Sequence, residues 1–151
     1  MLNLKSVRLY CVDGTNVVRV LWGYGGAEFR EQEESDCITL VESFAMLCPS
    51  MIGLAEVEIF FDGEGRRWKR VPPQAPNLRV RFAWEEPADS LILDRVRAGS
   101  FGHEGRVTVV TADGELGRRA REEGGRWMTI RAEDGLERLL NNIERRFTDK
   151  P

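Results

Sequence analysis

A chain of 151 residues, 42% hydrophobic and 31% charged, is long enough for one packed core and too apolar on average to remain disordered. It contains no run approaching the roughly 20 apolar residues that span a bilayer, so a membrane partner is not expected. A formal charge of -3 gives no overall basic field for nucleic acid, although a local basic surface is compatible with it.

The cysteines Cys11, Cys37 and Cys48 are odd in number and lie in apolar surroundings. That pattern predicts core thiols in a reducing compartment rather than a disulfide framework or a zinc cluster. Met1 to Lys5 lacks a long apolar run, so no signal peptide is expected and the expected location is the cytoplasm.

Along the chain, Val7 to Val12 reads as a buried central strand. Gly14 to Trp22 fits a short helix with Asn16, Val17 and Val20 near one face. Gly23 to Gly26 and the charged run Glu28 to Glu34 read as a mobile loop, with Ser35 or Asp36 capping the next helix. That helix reaches about Met51 on a stripe of Ile38, Val41, Phe44, Ala45 and Cys48, and Pro49 breaks its last turn. Val57 to Phe61 is the second strand. Asn77 to Trp84 is the third, and its alternation of Leu78, Val80 and Phe82 with Arg79 and Arg81 marks an edge position. A helix opens at Glu85 to Asp89, with Pro87 in its first turn, and ends near Gly99. Arg106 to Thr111, a helix from Glu115 to Glu123, the strand Arg126 to Ile130 and a helix from Glu133 to Phe147 complete the order. Strands alternating with helices imply right-handed crossovers and a mainly parallel sheet. The expectation is a single three-layer α/β domain over 1–151.

Three strand-like runs end in Asp-Gly, at Asp13, Asp62 and Asp113. Parallel strands put such ends on one rim, where ligands of open α/β sheets bind. Carboxylates gathered there repel unless a cation joins them, and a hard divalent ion such as Mg²⁺ or Mn²⁺ suits oxygen donors. Asp-Gly is also ordinary turn chemistry. Asp89 adds to the pattern, because it shares a helical face with the apolar Ile92, Leu93 and Val96 and so heads a core-facing stripe. Its plain alternative is complementing the helix dipole.

Together, Val12-Asp13-Gly-Thr-Asn16, Phe61-Asp62-Gly63, Pro87-Ala-Asp89-Ser-Leu-Ile and Val110-Thr-Ala-Asp113-Gly-Glu-Leu-Gly-Arg-Arg resemble the NYN domain family, in particular its YacP-like branch within the wider PIN-like nuclease fold. The resemblance runs from about Val7 to Ile130. It implies a five-stranded parallel sheet of order 3-2-1-4-5 and a metal-dependent endoribonuclease site. It carries metal-binding and catalytic roles onto Asp13, Asp89 and Asp113, with Asn16 and Asp62 as supporting groups. It implies RNA as the partner, either free or on the ribosome. Two positions depart from the family pattern. Thr15 stands where an aromatic is usual, and Ser90 stands where a second acid often follows Ala-Asp. The second departure weakens the expected site, and Glu115 is a candidate to compensate.

Cations with an interleaved aromatic suit phosphate contact and base stacking, which singles out Arg66, Arg67, Trp68, Lys69 and Arg70, along with Arg118 on the helix after Asp113. The other reading of these charges is a solvated surface. The only histidine, His103, lies in a glycine-rich loop and is read as surface, so no Ser/His/Asp or Cys/His arrangement is available. Asp13-Gly14-Thr15 is also similar to the start of haloacid-dehalogenase-like phosphatases, but Cys11 stands where their nucleophilic aspartate belongs, and that reading is rejected. The remaining rivals are an RNA- or protein-binding module of the same fold and a nuclease acting on DNA.

Overall fold

Strand runs with few polar breaks need cover on both faces, and each crossover in this chain supplies a helix. The computed structural model describes residues 7–23, 30–63, 68, 72–100 and 106–148. In order they form β1 (Arg8–Asp13), α1 (Gly14–Trp22), α2 (Arg30–Leu47), β2 (Ala55–Asp62), β3 (Leu78–Ala83), α3 (Ala88–Ser100), β4 (Val107–Val110), α4 (Gly114–Glu122), β5 (Arg126–Met128) and α5 (Gly135–Thr148). The sheet is parallel throughout, in the order β3-β2-β1-β4-β5. This is the three-layer architecture and strand order that the sequence led us to expect.

Alternating residues of the central strand divide the core. Tyr10 and Val12 join Phe44, Val57, Ile59, Phe61, Leu139 and Ile143 beneath α1, α2 and α5. Leu9 and Cys11 join Phe60, Ile92, Leu93, Val96, Val109 and Leu116 beneath α3 and α4. Each large apolar side chain taken fully out of water adds about 1.5–3 kcal/mol, which makes these two layers the main source of stability. The three cysteines are buried and unbridged, as expected. Burial pushes the Cys37 thiol up to about 12 and the Cys48 thiol up to about 11, so both stay protonated at neutral pH.

The charged run before Ser35 departs from expectation. Arg30 to Glu34 are helical, and Asp36 lies inside α2 rather than capping it. Arginine, glutamate and glutamine are good helix formers. Gln32 also donates to both carboxylate oxygens of Asp36 at 3.1 Å, one turn on. Arg19 on α1 meets Glu33 at 2.8 Å, which ties this extra turn to the neighbouring helix. After Leu47 the chain tightens into a 3-10 turn at Cys48–Met51, as Pro49 dictates.

β3 is an edge strand, and its Arg81 has work on the α3 side. Glu58, 4% exposed, would be a costly buried charge if it stood alone. Arg95 Nε reaches it at 2.7 Å and Arg81 at 3.8 Å, while the Arg81 guanidinium also lies over the Phe60 ring.

One close approach links packing to the sheet rim. A Cβ on Gly117 of α4 would stand 2.1 Å from the Trp127 ring of β5. Gly117→Ala should therefore displace Trp127 and cost about 1–3 kcal/mol, read as a lowered urea midpoint by far-UV circular dichroism. An unchanged midpoint would mean that the ring has room to move.

Candidate active site

Asp13 is the last residue of the central strand and Asp62 the last of β2, while Asp113 follows β4 by three residues and Asp89 sits in the first turn of α3. All four therefore lie on the carboxyl-end rim. Register sets their heights. Asp13 pairs with Phe60, so Asp62 stands two positions farther along β2, level with Ala83 of β3. Val12 pairs with Val110, which brings Thr111 level with Asp13.

Thr111 organises this rim, and the sequence reading did not single it out. It is fully buried. Its Oγ1 lies 2.9 Å from Asp13 Oδ2 and 3.2 Å from Asn16 Oδ1, either of which can take its proton. The same oxygen accepts the Asp113 N–H at 3.0 Å. The Thr111 backbone is held from β5, its N–H donating to Met128 O and its carbonyl accepting from Trp127 Nε1. Asn16 Oδ1 accepts the Ala112 N–H at 2.8 Å, which fixes the turn leading to Asp113. A hydroxyl residue directly after an apolar strand, two positions before an acid, was the available signal.

The acids have different structural duties. Asp113, exposed, caps α4: its Oδ1 accepts from the N–H groups of Glu115 and Leu116. Asp62 Oδ1 accepts the Ala88 N–H at 3.2 Å, tying the start of α3 to the end of β2. The Asp62 N–H donates to Thr15 Oγ1 at 2.9 Å, so the hydroxyl that departs from the family pattern secures the same corner. Asp13 makes no cap bond to its own helix. Asp89 is half-buried above the buried Ile92, Leu93 and Val96, and Glu115 is exposed in the first turn of α4.

Burial raises the Asp13 carboxyl to about 6, the Thr111 bond opposes this, and the fields of Asp62, Asp113 and Asp89 push it further up. One buried carboxyl thus feels the other three acids. The donor set is all hard oxygen, which fits Mg²⁺ or Mn²⁺ in kind. Among the described residues, however, no three His, Cys, Asp or Glu side chains close on a point that would hold an ion. The acids form an open rim in which each oxygen engaged by a helix N–H has a second task.

The expected substrate residues divide. Arg66, Arg67, Lys69 and Arg70 lie outside the described residues, as do His103 and the side chain of Phe147. Trp68 is half-buried, with its ring edge-on to Phe61 at 5.2 Å and to Phe82 at 5.0 Å, so part of its surface packs against the core. Arg118 is exposed on α4, beside Arg119 and Arg121.

A parallel α/β sheet of this order, with aspartates on its carboxyl-end rim, defines the class: a PIN-like, nuclease-type domain. The YacP-like NYN domain model matches residues 10–150, and the chain belongs to that family. Among solved structures, Rae1 (YacP) from Bacillus subtilis is similar over 93% of this chain and 78% of its own, at 22% identity and a TM-score of 0.62. Its W164L mutant is similar over 92% and 78%, at 22% identity and 0.61. These two likenesses bear on the fold. No curated protein matches.

Two measurements test the site. The fold favours protonated Asp13, so the native state binds more protons than the unfolded chain between about pH 4 and 6. Stability should fall as pH rises through that window and level off above it. Asp13→Asn should then be more stable than the parent by about 1–3 kcal/mol at pH 7.5 in metal-free buffer, with the gap closing near pH 4; a gap independent of pH would contradict the assignment. Thr111→Val strands the buried Asp13 oxygen and the Asp113 N–H, and should cost about 1–3 kcal/mol. Thr111→Ser should recover most of that loss in thermal unfolding.

Proposed function

We propose that this chain is a single-domain, cytoplasmic, metal-dependent endoribonuclease that hydrolyses RNA phosphodiester bonds at Asp13, Asp89 and Asp113. The observation that carries the reading is the Asp13 carboxyl, buried at the end of the central strand in the field of three other acids. Such a carboxyl is ionised with least cost when a cation joins it, and a site that must act on a polyanion needs one. Mg²⁺ or Mn²⁺, when bound, would supply positive charge for the phosphate and lower the pKa of a bound water.

The chain's own residues have the remaining roles. Asp13, Asp89 and Asp113 are the proposed ligands. Asn16 and Thr111 hold the turn that presents Asp113, and Asp62 holds the start of α3 near Asp89. Glu115 stands next to Asp113 as a further acid. Arg118 and its neighbours, with Arg66, Arg67, Lys69 and Arg70, are the proposed phosphate contacts. RNA, free or on the ribosome, is the proposed partner. No helix among the described residues is long and apolar enough to cross a membrane.

The second reading, a binding module with a weakened site, is favoured by Ser90 and by the open spacing of the acids. Labelled single-stranded RNA with Mn²⁺ separates the two. The enzyme should cleave it, chelator should stop cleavage, and Asp13→Asn and Asp113→Asn should each lose about 100-fold or more, as for removal of a group that meets developing charge. Mn²⁺ should also raise the unfolding temperature of the parent but not of Asp13→Asn. RNA retained without cleavage by the parent would favour the module. Equal cleavage by all three proteins would place the activity elsewhere.

A further inference from the structure

The rim carries one large exposed apolar side chain among the described residues. Trp84 is 67% exposed, whereas the other three, Met46, Ile52 and Leu54, lie near the end of α2 and before the start of β2, away from the acids. Trp84 directly follows Ala83, the residue level with Asp62. The connection 84–87 is clamped at both ends by the end of β2. The Gly63 N–H donates to Ala83 O at 2.9 Å, and Asp62 Oδ1 accepts the Ala88 N–H at 3.2 Å.

Building on the nuclease reading above, we infer that Trp84 is the platform on which an unpaired base of the substrate RNA stacks. Every base has a π-face, and stacking on an aromatic ring contributes to single-strand binding without reading sequence. The charges nearby fix what the platform accepts. Glu85 and Glu86 are exposed beside it, so a phosphate is repelled from this corner and the neutral face of a base is not. The opposite flank is basic, with Arg118, Arg119 and Arg121 exposed on α4. Strand order places β3 three strands from β4, about 14 Å at the usual interstrand spacing. A single strand laid across the rim would put a base on Trp84 and its phosphates toward α4, with the acids between them.

The test uses the full chain and a fluorescent single-stranded RNA of mixed sequence. Binding is read by anisotropy with chelator present, and cleavage is read with Mn²⁺. Trp84→Ala should weaken binding and raise KM about tenfold, with kcat within about twofold. Trp84→Phe, which keeps a ring, should stay within about threefold of the parent in binding and KM. If the parent binds or cleaves RNA and Trp84→Ala matches it in both affinity and KM, the platform is wrong while the nuclease reading stands. If Trp84→Ala lowers kcat alone, the residue acts on the acids rather than on a base, and the inference fails. A parent protein that neither binds nor cleaves RNA would remove the nuclease reading and this inference with it.

Discussion

The bond between the Thr111 hydroxyl and Asp13 is the constraint on which the rest of the rim depends. Asp13 ends the most central strand, where a carboxyl is only 8% exposed and three other acids act on it. One hydroxyl hydrogen bond lowers the cost of ionising it but does not cancel burial and repulsion, so the group titrates near 6. The same oxygen then accepts the Asp113 N–H. A single buried hydroxyl thereby sets where the acid of one strand stands relative to the acid after the next. It works because register makes Thr111 level with Asp13, and because β5 grips the Thr111 backbone from the other side through Trp127 and Met128.

The acids around this pair also build the scaffold. Asp113 caps α4 and Asp62 holds the first turn of α3. Helix N-termini present unpaired N–H groups and partial positive charge, so an acid there is stabilised locally. Asp62 and Asp113 are consequently held with one oxygen fixed by backbone, whereas Asp13 is held by the Thr111 hydroxyl. These bonds keep the three on the rim at the expense of some freedom to move toward a shared point.

Much of the fold was legible in the sequence because periodicity and chain order carry it. Buried strands read as apolar runs, the alternation at Arg79 and Arg81 placed β3 at the edge, and Gly-rich stops bounded the helices. Asp13, Asp62 and Asp113 were legible as strand-end acids for the same reason. Interactions between distant residues were not. A charged stretch such as Arg30 to Glu34 looks like a loop until Arg19 and Asp36 are known to meet it. Trp68 next to arginines gives no sign in the sequence that it also packs edge-on against Phe61 and Phe82. Thr111 matters only because register sets it opposite Asp13, and Glu58 is tolerable only because Arg95 arrives from a different helix.

The charges on this rim oppose RNA binding by the protein alone. A module that only holds RNA gains affinity from cations and stacking surfaces and loses it for every carboxylate near the phosphates. Glu85, Glu86, Asp13, Asp62, Asp89 and Asp113 all oppose a polyanion on this rim, and Asp13 additionally costs stability while ionised. Arg118, Arg119 and Arg121 stand to one side of the acids rather than among them. Negative charge concentrated where the proposed substrate would lie is a handicap for binding alone. Under the proposed nuclease reading it would become an advantage, because bound Mg²⁺ or Mn²⁺ would offset these acids and supply positive charge for the phosphate.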